Sequence, residues 1–227
     1  MALTLYLHPL ASFCHKVLIA LYENDTPFTA HTVDFSDAEA NKAFLERWPV
    51  GKIPLLYDAR QQLTLPETSI IIEYLDQHYP GQTRFLPADP AAQLQARLWD
   101  RFFDLYVQVP MQKIVADRLR PEGGGDVLGV ADAHANLRTA YNMIEQQMAD
   151  KAWAIGNRFS LADCAAAPAL FYASIVEPFP ASHRNLTAYF ERLLKRRSFE
   201  RVLEEARPWF KLFPFKEAIP KRFLDDE

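Results

Sequence analysis

Apolar and polar positions alternate at the start of the chain. Leu3, Leu5 and Leu7 fall two apart with Thr4 and Tyr6 between them, a period that predicts a short strand closed by His8-Pro9. From Phe13 the period changes. Phe13, Val17, Leu18, Leu21 and Tyr22 recur at helical spacing, which predicts a helix to Glu23 that Asn24-Asp25-Thr26-Pro27 stops. Phe28 to Val33 reads as a second strand and Glu39–Arg47 as a second helix. Two short strands follow, Ile53–Tyr57 and Gln62–Leu65, joined by the polar turn Asp58-Ala59-Arg60. A helix from Glu67 to His78 then ends at Pro80-Gly81. The order is βαβαββα. Its first two strands must pair in parallel through a right-handed crossover and its last two must be antiparallel, so the expected sheet is mixed with helices on its faces.

Beyond Gly81 only the helical period persists. Residues 81–90 form a proline-bearing linker, and a long helix from Ala91 carries Leu94, Leu98, Trp99, Phe102, Phe103 and Tyr106, with a kink expected at Pro110. Pro121 to Gly125 breaks the pattern, and further helices are predicted over Val127–Ala149, from Ser160 to Val176, over Asn185–Lys195 and over Ser198–Ala206. The segment Arg207–Glu227 reads as an ordered, aromatic-rich tail. The expected fold class is therefore α/β plus all-α, with a sheet domain over 1–80, the linker 81–90 and a helical domain over 91–227.

Composition narrows the function. With 227 residues, 49% hydrophobic and 24% charged, the chain is long enough to bury a core and unlike a disordered one. A net charge of −4 with mixed signs gives no reason to expect nucleic acid or an anionic membrane as partner. Only 7 glycines are present, and no glycine-rich phosphate loop or dinucleotide turn follows a strand, which argues against ATPase and Rossmann chemistry. Two cysteines, Cys14 and Cys164, exclude a disulfide framework and suit a reducing cytoplasm. The 6 histidines show no metal-binding spacing, so no metal is expected. No apolar run reaches the roughly 20 residues of a membrane helix, and no basic residue precedes Lys16, so the N-terminus reads as mature structure rather than a secretory signal.

Three segments carry candidate chemistry. In Val50-Gly51-Lys52-Ile53-Pro54 a proline directly precedes a strand; in cis it would turn the neighbouring backbone groups outward to pair with an extended peptide, and otherwise it only enters the strand. Glu67 and Thr68 open a helix, where free N–H groups and a hydroxyl suit a carboxylate and the Glu67 carboxylate suits an ammonium; the same pair also reads as a plain N-terminal cap. Ser12 and Cys14 lie at the strand-to-helix junction, Ser12 as a cap or a donor, Cys14 as a thiolate near the helix dipole or a small buried residue.

Taken together these segments resemble the glutathione transferase superfamily of the cytosolic type. Phe13-Cys14-His15-Lys16-Val17 with Ile19-Ala20-Leu21 is similar to its first-helix signature, with a zeta-like arrangement. Trp48-Pro49-Val50-Gly51-Lys52-Ile53-Pro54-Leu55-Leu56 is similar to its cis-proline segment, and Glu67-Thr68-Ser69-Ile70-Ile71-Ile72-Glu73-Tyr74-Leu75 to its acid–hydroxyl helix, with threonine where serine is usual. The resemblance spans the chain and implies a thioredoxin-like first domain followed by an all-helical second one. It implies glutathione as co-substrate: Ile53 beside cis Pro54 on its cysteinyl unit, Glu67 and Thr68 on its γ-glutamyl end, Lys52 near its glycyl carboxylate and Ser12 donating to its sulfur. It also implies a small hydrophobic electrophile between the domains, where Phe103 and Tyr106 are pocket candidates, and a homodimer.

In that frame the usual catalytic hydroxyl aligns with Ala11, so Ser12 is the neighbouring position and Cys14 is the alternative, which would favour thiol transfer or peroxide reduction over conjugation. The Ala11 departure also leaves open a non-catalytic interaction protein. Ser160 and Asp163 have capping-box spacing and are assigned to folding. Trp99, Phe102, Phe103 and Tyr106 form one helical stripe, core or pocket wall, and Trp209, Phe210, Phe213 and Phe215 either close that pocket or pack on the helices. Lys195-Arg196-Arg197 reads as a solvated helix end.

Overall fold

A computed structural model describes residues 2–224. Its first part contains β1 (Leu3–Leu7), α1 (Ser12–Glu23), β2 (Phe28–Thr32), α2 (Ala38–Arg47), β3 (Leu55–Asp58), β4 (Leu63–Leu65) and α3 (Thr68–His78). The strands form one sheet in the order β2-β1-β3-β4. β1 runs parallel to β2, with Leu5 opposite Ala30, and antiparallel to β3, with Leu5 opposite Leu56; β3 and β4 are antiparallel. The alternation in β1 assigns its two faces. Leu3, Leu5 and Leu7 are buried with α1 and α3, while Tyr6 turns to the opposite face, where Val33, Phe44 of α2 and Leu55 form a smaller cluster.

The helical part contains α4 (Pro90–Phe102), a π-helical turn (Phe103–Gln108), α5 (Val109–Asp117), α6 (Val127–Gln147), α7 (Leu161–Val176), α8 (Arg184–Leu194) and α9 (Arg197–Ala206), then three short 3₁₀ turns. α7 is the axis of this part, buried on nearly every side and packed against α1, α4, α5 and α8. Its entry is fixed by Asp163, which accepts from the Ser160 N–H at 2.8 Å and hydroxyl at 2.9 Å, the Ala154 N–H at 2.9 Å and the Tyr189 hydroxyl at 2.6 Å.

The boundaries differ from the sequence expectation by one or two residues, as helix and strand ends generally do. The larger difference is at Pro110. Instead of a kink, the helix widens just before the proline, and the Val109 N–H reaches back five residues to the Asp104 carbonyl. Proline has no N–H and its ring crowds the carbonyl four residues earlier, so a wide turn relieves the contact without breaking the helix. Arg196 is not a solvated helix end: it pairs with Glu23 at the end of α1, and its guanidinium lies 4.5 Å from the centre of the Phe159 ring. The tail is ordered over 207–224, with Phe210, Phe213 and Ile219 buried on the helices; residues 225–227 of the predicted tail lie outside the described residues.

Candidate active site

The loop leading into α1 is tied down at every residue. The Leu10 N–H donates to His8 Nδ1 at 3.2 Å, the Ala11 N–H to the His8 carbonyl at 3.0 Å, and the Tyr172 hydroxyl to the Leu10 carbonyl at 3.0 Å. His15 Nε2 meets the Pro9 carbonyl at 2.5 Å from below. Burial lowers the His15 pKa to about 4, so the ring is neutral at physiological pH.

Ala11, not Ser12, is the N-cap residue of α1, and Ser12 makes no capping bond. The Ser12 hydroxyl instead accepts a hydrogen bond from the Gln108 side-chain amide in the π-helical turn. Both side chains are nearly buried, at 6% and 2% exposure. Cys14 does not meet the requirement for a reactive thiol. It is fully buried, and loss of hydration pushes its pKa up to about 12, so a thiolate is not present near neutral pH.

Beside Ser12 lies a cleft of about 180 Å³ whose lining includes Trp48, Lys52, Ile53, Pro54, Glu67 and Thr68. The Ile53–Pro54 peptide is cis, and Ile53 precedes the β1–β3 ladder, which begins at Leu55. Glu67 is the N-cap residue of α3 with φ 68°, makes no side-chain cap, and is solvent-exposed. A positive φ is uncommon for a glutamate, and both Glu67 and buried Thr68 line the cleft. The sequence-predicted binding residues Lys52, Ile53, Pro54, Glu67 and Thr68 therefore share one cleft.

Sequence reasoning missed the far wall of that cleft, which Arg101, Asp104, Leu105, Val109 and Gln112 supply. Asp104 belongs to a buried charge cluster: Lys16 Nζ lies 2.6 Å from Asp100 Oδ1 and 2.8 Å from Asp104 Oδ2, and reaches the Ser69 hydroxyl at 3.1 Å. The Ser69 hydroxyl in turn donates to Asp100 at 2.6 Å. Burial raises the Asp104 pKa, with Lys16 opposing and the Asp100 charge adding. The cluster pins the first turn of α3, and with it Thr68, to α1 and α4.

A second concavity of about 250 Å³ adjoins the first. Leu10, Ala11 and Ser12 form one side, Met111, Gln112, Val115 and Leu119 another, and Tyr172 with Leu212, Phe213 and Pro214 close it. Gln112 lines both concavities; Ser12, also expected to bind glutathione, lines only the second, and its neighbour Phe13 lines only the first. Phe103 and Tyr106, the expected pocket residues, line neither concavity. Phe103 is 1% exposed, its ring 5.9 Å from Trp99 and 6.5 Å from Tyr189, so it belongs to the core. Tyr106 is 56% exposed and lines neither concavity. The stripe fails because the wide turn changes the helix phase after Phe102. The tail aromatics divide: Phe213 closes the pocket, while Trp209 sets its edge on His8, ring centres 4.9 Å apart. Among the described residues no group of three or more His, Cys, Asp or Glu side chains is placed to hold a metal ion, and no helix is long and apolar enough to cross a membrane.

Comparison with known proteins bears on the family and the fold. Residues 5–83 match the profile for the glutathione S-transferase N-terminal domain and residues 125–197 that for the C-terminal domain. The chain is 31% identical over 148 residues to a glutathione S-transferase-like protein, LUC7, from a Fusarium species, covering 65% of this chain and 64% of that relative. It is 30% identical to the FtsZ-localized protein A of Caulobacter vibrioides, with 78% of each chain aligned. Among solved structures, a glutathione S-transferase from Methylobacillus flagellatus with GSH bound superposes with a TM-score of 0.80 at 25% identity, over 88% of this chain and 98% of that one.

Proposed function

Because the chain belongs to the glutathione S-transferase superfamily, we propose that it is a glutathione transferase that activates the thiol with Ser12 and conjugates it to an apolar electrophile. The single observation that carries this reading is that Ser12 lines an apolar pocket which shares Gln112 with the cis-proline cleft, while the next residue, Phe13, lines that cleft.

The cleft is lined by two cations, Lys52 and Arg101, and two acids, Glu67 and Asp104. That mixture suits glutathione, which carries two carboxylates and one ammonium. Ile53 pairs with its cysteinyl backbone; Thr68 and the N–H groups at the start of α3 receive the γ-glutamyl carboxylate, and Glu67 receives its ammonium. Lys52 meets the glycyl carboxylate. The Ser12 hydroxyl then donates to the sulfur, and a hydrogen bond to the charged form lowers the thiol pKa, so that the thiol proton is lost to solvent before attack. The sulfur lone pair forms a bond to the electrophilic carbon, and the leaving group departs with the electrons of the broken bond. Holding both reactants on either side of Ser12 supplies the proximity. Met111, Val115, Tyr172 and Phe213 give the electrophile site its apolar character. Thiol transfer through Cys14 is disfavoured by the burial that raises that thiol.

A second reading has two observations in its favour. Ala11 stands where the family's usual hydroxyl aligns, and a relative of similar length is known by its localization with FtsZ. In that reading the chain uses the same fold as an interaction module. Glutathione-dependent consumption of an aryl halide separates the two: conversion that is lost in Ser12→Ala supports the transferase, and no conversion together with no glutathione binding supports the module.

Ile70, Leu94 and Leu98 are 52%, 66% and 55% exposed on α3 and α4. We propose that a second copy covers this face, giving a homodimer; a monomeric mass by light scattering at micromolar concentration contradicts it. Two cysteines, both buried and unpaired, fit a cytoplasmic setting.

A further inference from the structure

We infer that Gln108 is a positioning residue for the thiol-activating hydroxyl: it occupies the acceptor side of Ser12, so that the Ser12 proton has the sulfur as its partner. The inference rests on the transferase reading of Ser12 and goes beyond it by assigning a role to a residue in neither concavity.

A serine hydroxyl has one proton to donate and lone pairs with which to accept. Left to rotate, that proton takes whichever acceptor is nearest. Here the Gln108 amide N–H donates to Ser12 Oγ. The N–H that meets Ser12 offers no acceptor, so with the amide in this orientation the hydroxyl proton is free for a partner other than that nitrogen. Ser12 itself lines the pocket, one residue before Phe13 of the cleft, and the transferase reading puts the sulfur of a cleft-bound glutathione within its reach. The hydrogen bond is 2% and 6% exposed at its two ends, so water does not compete for it.

The wide turn before Pro110 makes this contact possible. A straight α-helix gains nothing from a glutamine turned into its apolar interior. In the π-helical turn over Phe103–Gln108, both Asp104 and Gln108 are buried, Asp104 against Lys16 and Gln108 against Ser12. Both ends of the wide turn therefore bind α1, one at its second turn and one at its first residue. Gln108 Oε1 is buried without a hydrogen-bond partner.

The test reads the pKa of the glutathione thiol on the protein, by the ultraviolet absorbance of the thiolate against pH, with binding measured separately by calorimetry. Gln108→Leu removes the donor at similar volume, and Gln108→Glu offers an acceptor that captures the Ser12 proton. Both are expected to raise the bound-thiol pKa by about one unit, a tenfold loss of thiolate below it, and to move the acid limb of kcat/KM by the same amount. Glutathione affinity should change less than about threefold, since Gln108 does not line the cleft. Ser12→Ala should raise the pKa as well, and adding Gln108→Leu to it should raise it no further. An unchanged bound-thiol pKa in folded Gln108→Leu and Gln108→Glu, with Ser12→Ala shifted, overturns the inference and leaves the transferase reading standing. An unchanged pKa in Ser12→Ala overturns both. If Gln108→Leu does not fold, Gln108→Met gives the same comparison.

Discussion

Lys16 Nζ on α1 lies 2.6 Å from Asp100 Oδ1 on α4, and both side chains are 1% exposed. With Asp104 2.8 Å away on the other side, one buried cation balances two carboxylates at the seam between the sheet and the helices. Lys16→Met leaves buried Asp100 without its cation and Asp104 with only the exposed Arg101, 3.5 Å away, so a loss of about 3–5 kcal/mol is expected. Denaturant unfolding checks it. A loss under about 1 kcal/mol would mean that the cluster relaxes or takes up a proton at little cost. The first turn of α3 should loosen too, because Ser69 bonds both Lys16 and Asp100.

Burial pushes the Cys14 thiol up to about 12 and the Cys164 thiol in the same direction. Neither should react with iodoacetamide at neutral pH while the protein is folded, and both should react on unfolding. Mass spectrometry of the labelled chain measures it. Cys14→Ala should keep transferase turnover within about threefold of the parent, as expected for a small packing residue. Loss of turnover in this folded variant would return the thiol-transfer mechanism to consideration.

The pH dependence of stability should show His15. Its folded pKa is lowered from 6.5 to about 4 by burial, so between those values the unfolded chain binds a proton that the folded chain does not. Stability is therefore full above about 6.5 and falls as pH drops toward 4, by about 3 kcal/mol from this group. His15→Gln, which keeps a donor for the Pro9 carbonyl, should flatten that slope in thermal melts. An unaltered slope assigns the acid sensitivity to other groups.

The two concavities predict separable effects. Glu67→Gln should weaken glutathione binding about tenfold by removing the charge opposite its ammonium, with the KM for the electrophile little changed. Met111→Trp should fill the apolar pocket and raise the electrophile KM at unaltered glutathione affinity. Calorimetry and steady-state kinetics on the two variants distinguish the sites, and crossed effects would merge them.

The sheet half was legible in detail because each of its cues is local. The alternation of Leu3, Leu5 and Leu7, the proline after Ile53 and the acid–hydroxyl pair Glu67-Thr68 each carry a chemical meaning within a few residues. The far wall of the site was not legible. Asp104 and Gln108 reach α1 only because Pro110 forces a wide turn, and a stripe drawn at regular helical spacing instead put Phe103 and Tyr106 on the pocket. The one signal available was a polar pair, Gln108 and Gln112, at i and i+4 around a proline inside an apolar helix. Lys16 was visible as a helix residue, but its partners lie 84 and 88 positions away, beyond any local pattern. The reading of Ser12 as a plain cap fails for a similar reason, since its partner is distant in sequence.

The account depends most on where the sulfur of bound glutathione sits. A crystal structure of the glutathione complex measures that distance directly. The sulfur should lie within about 3.5 Å of Ser12 Oγ, with the γ-glutamyl end at Glu67 and Thr68. A sulfur beyond hydrogen-bond reach of Ser12, or glutathione bound outside the cis-proline cleft, would contradict it.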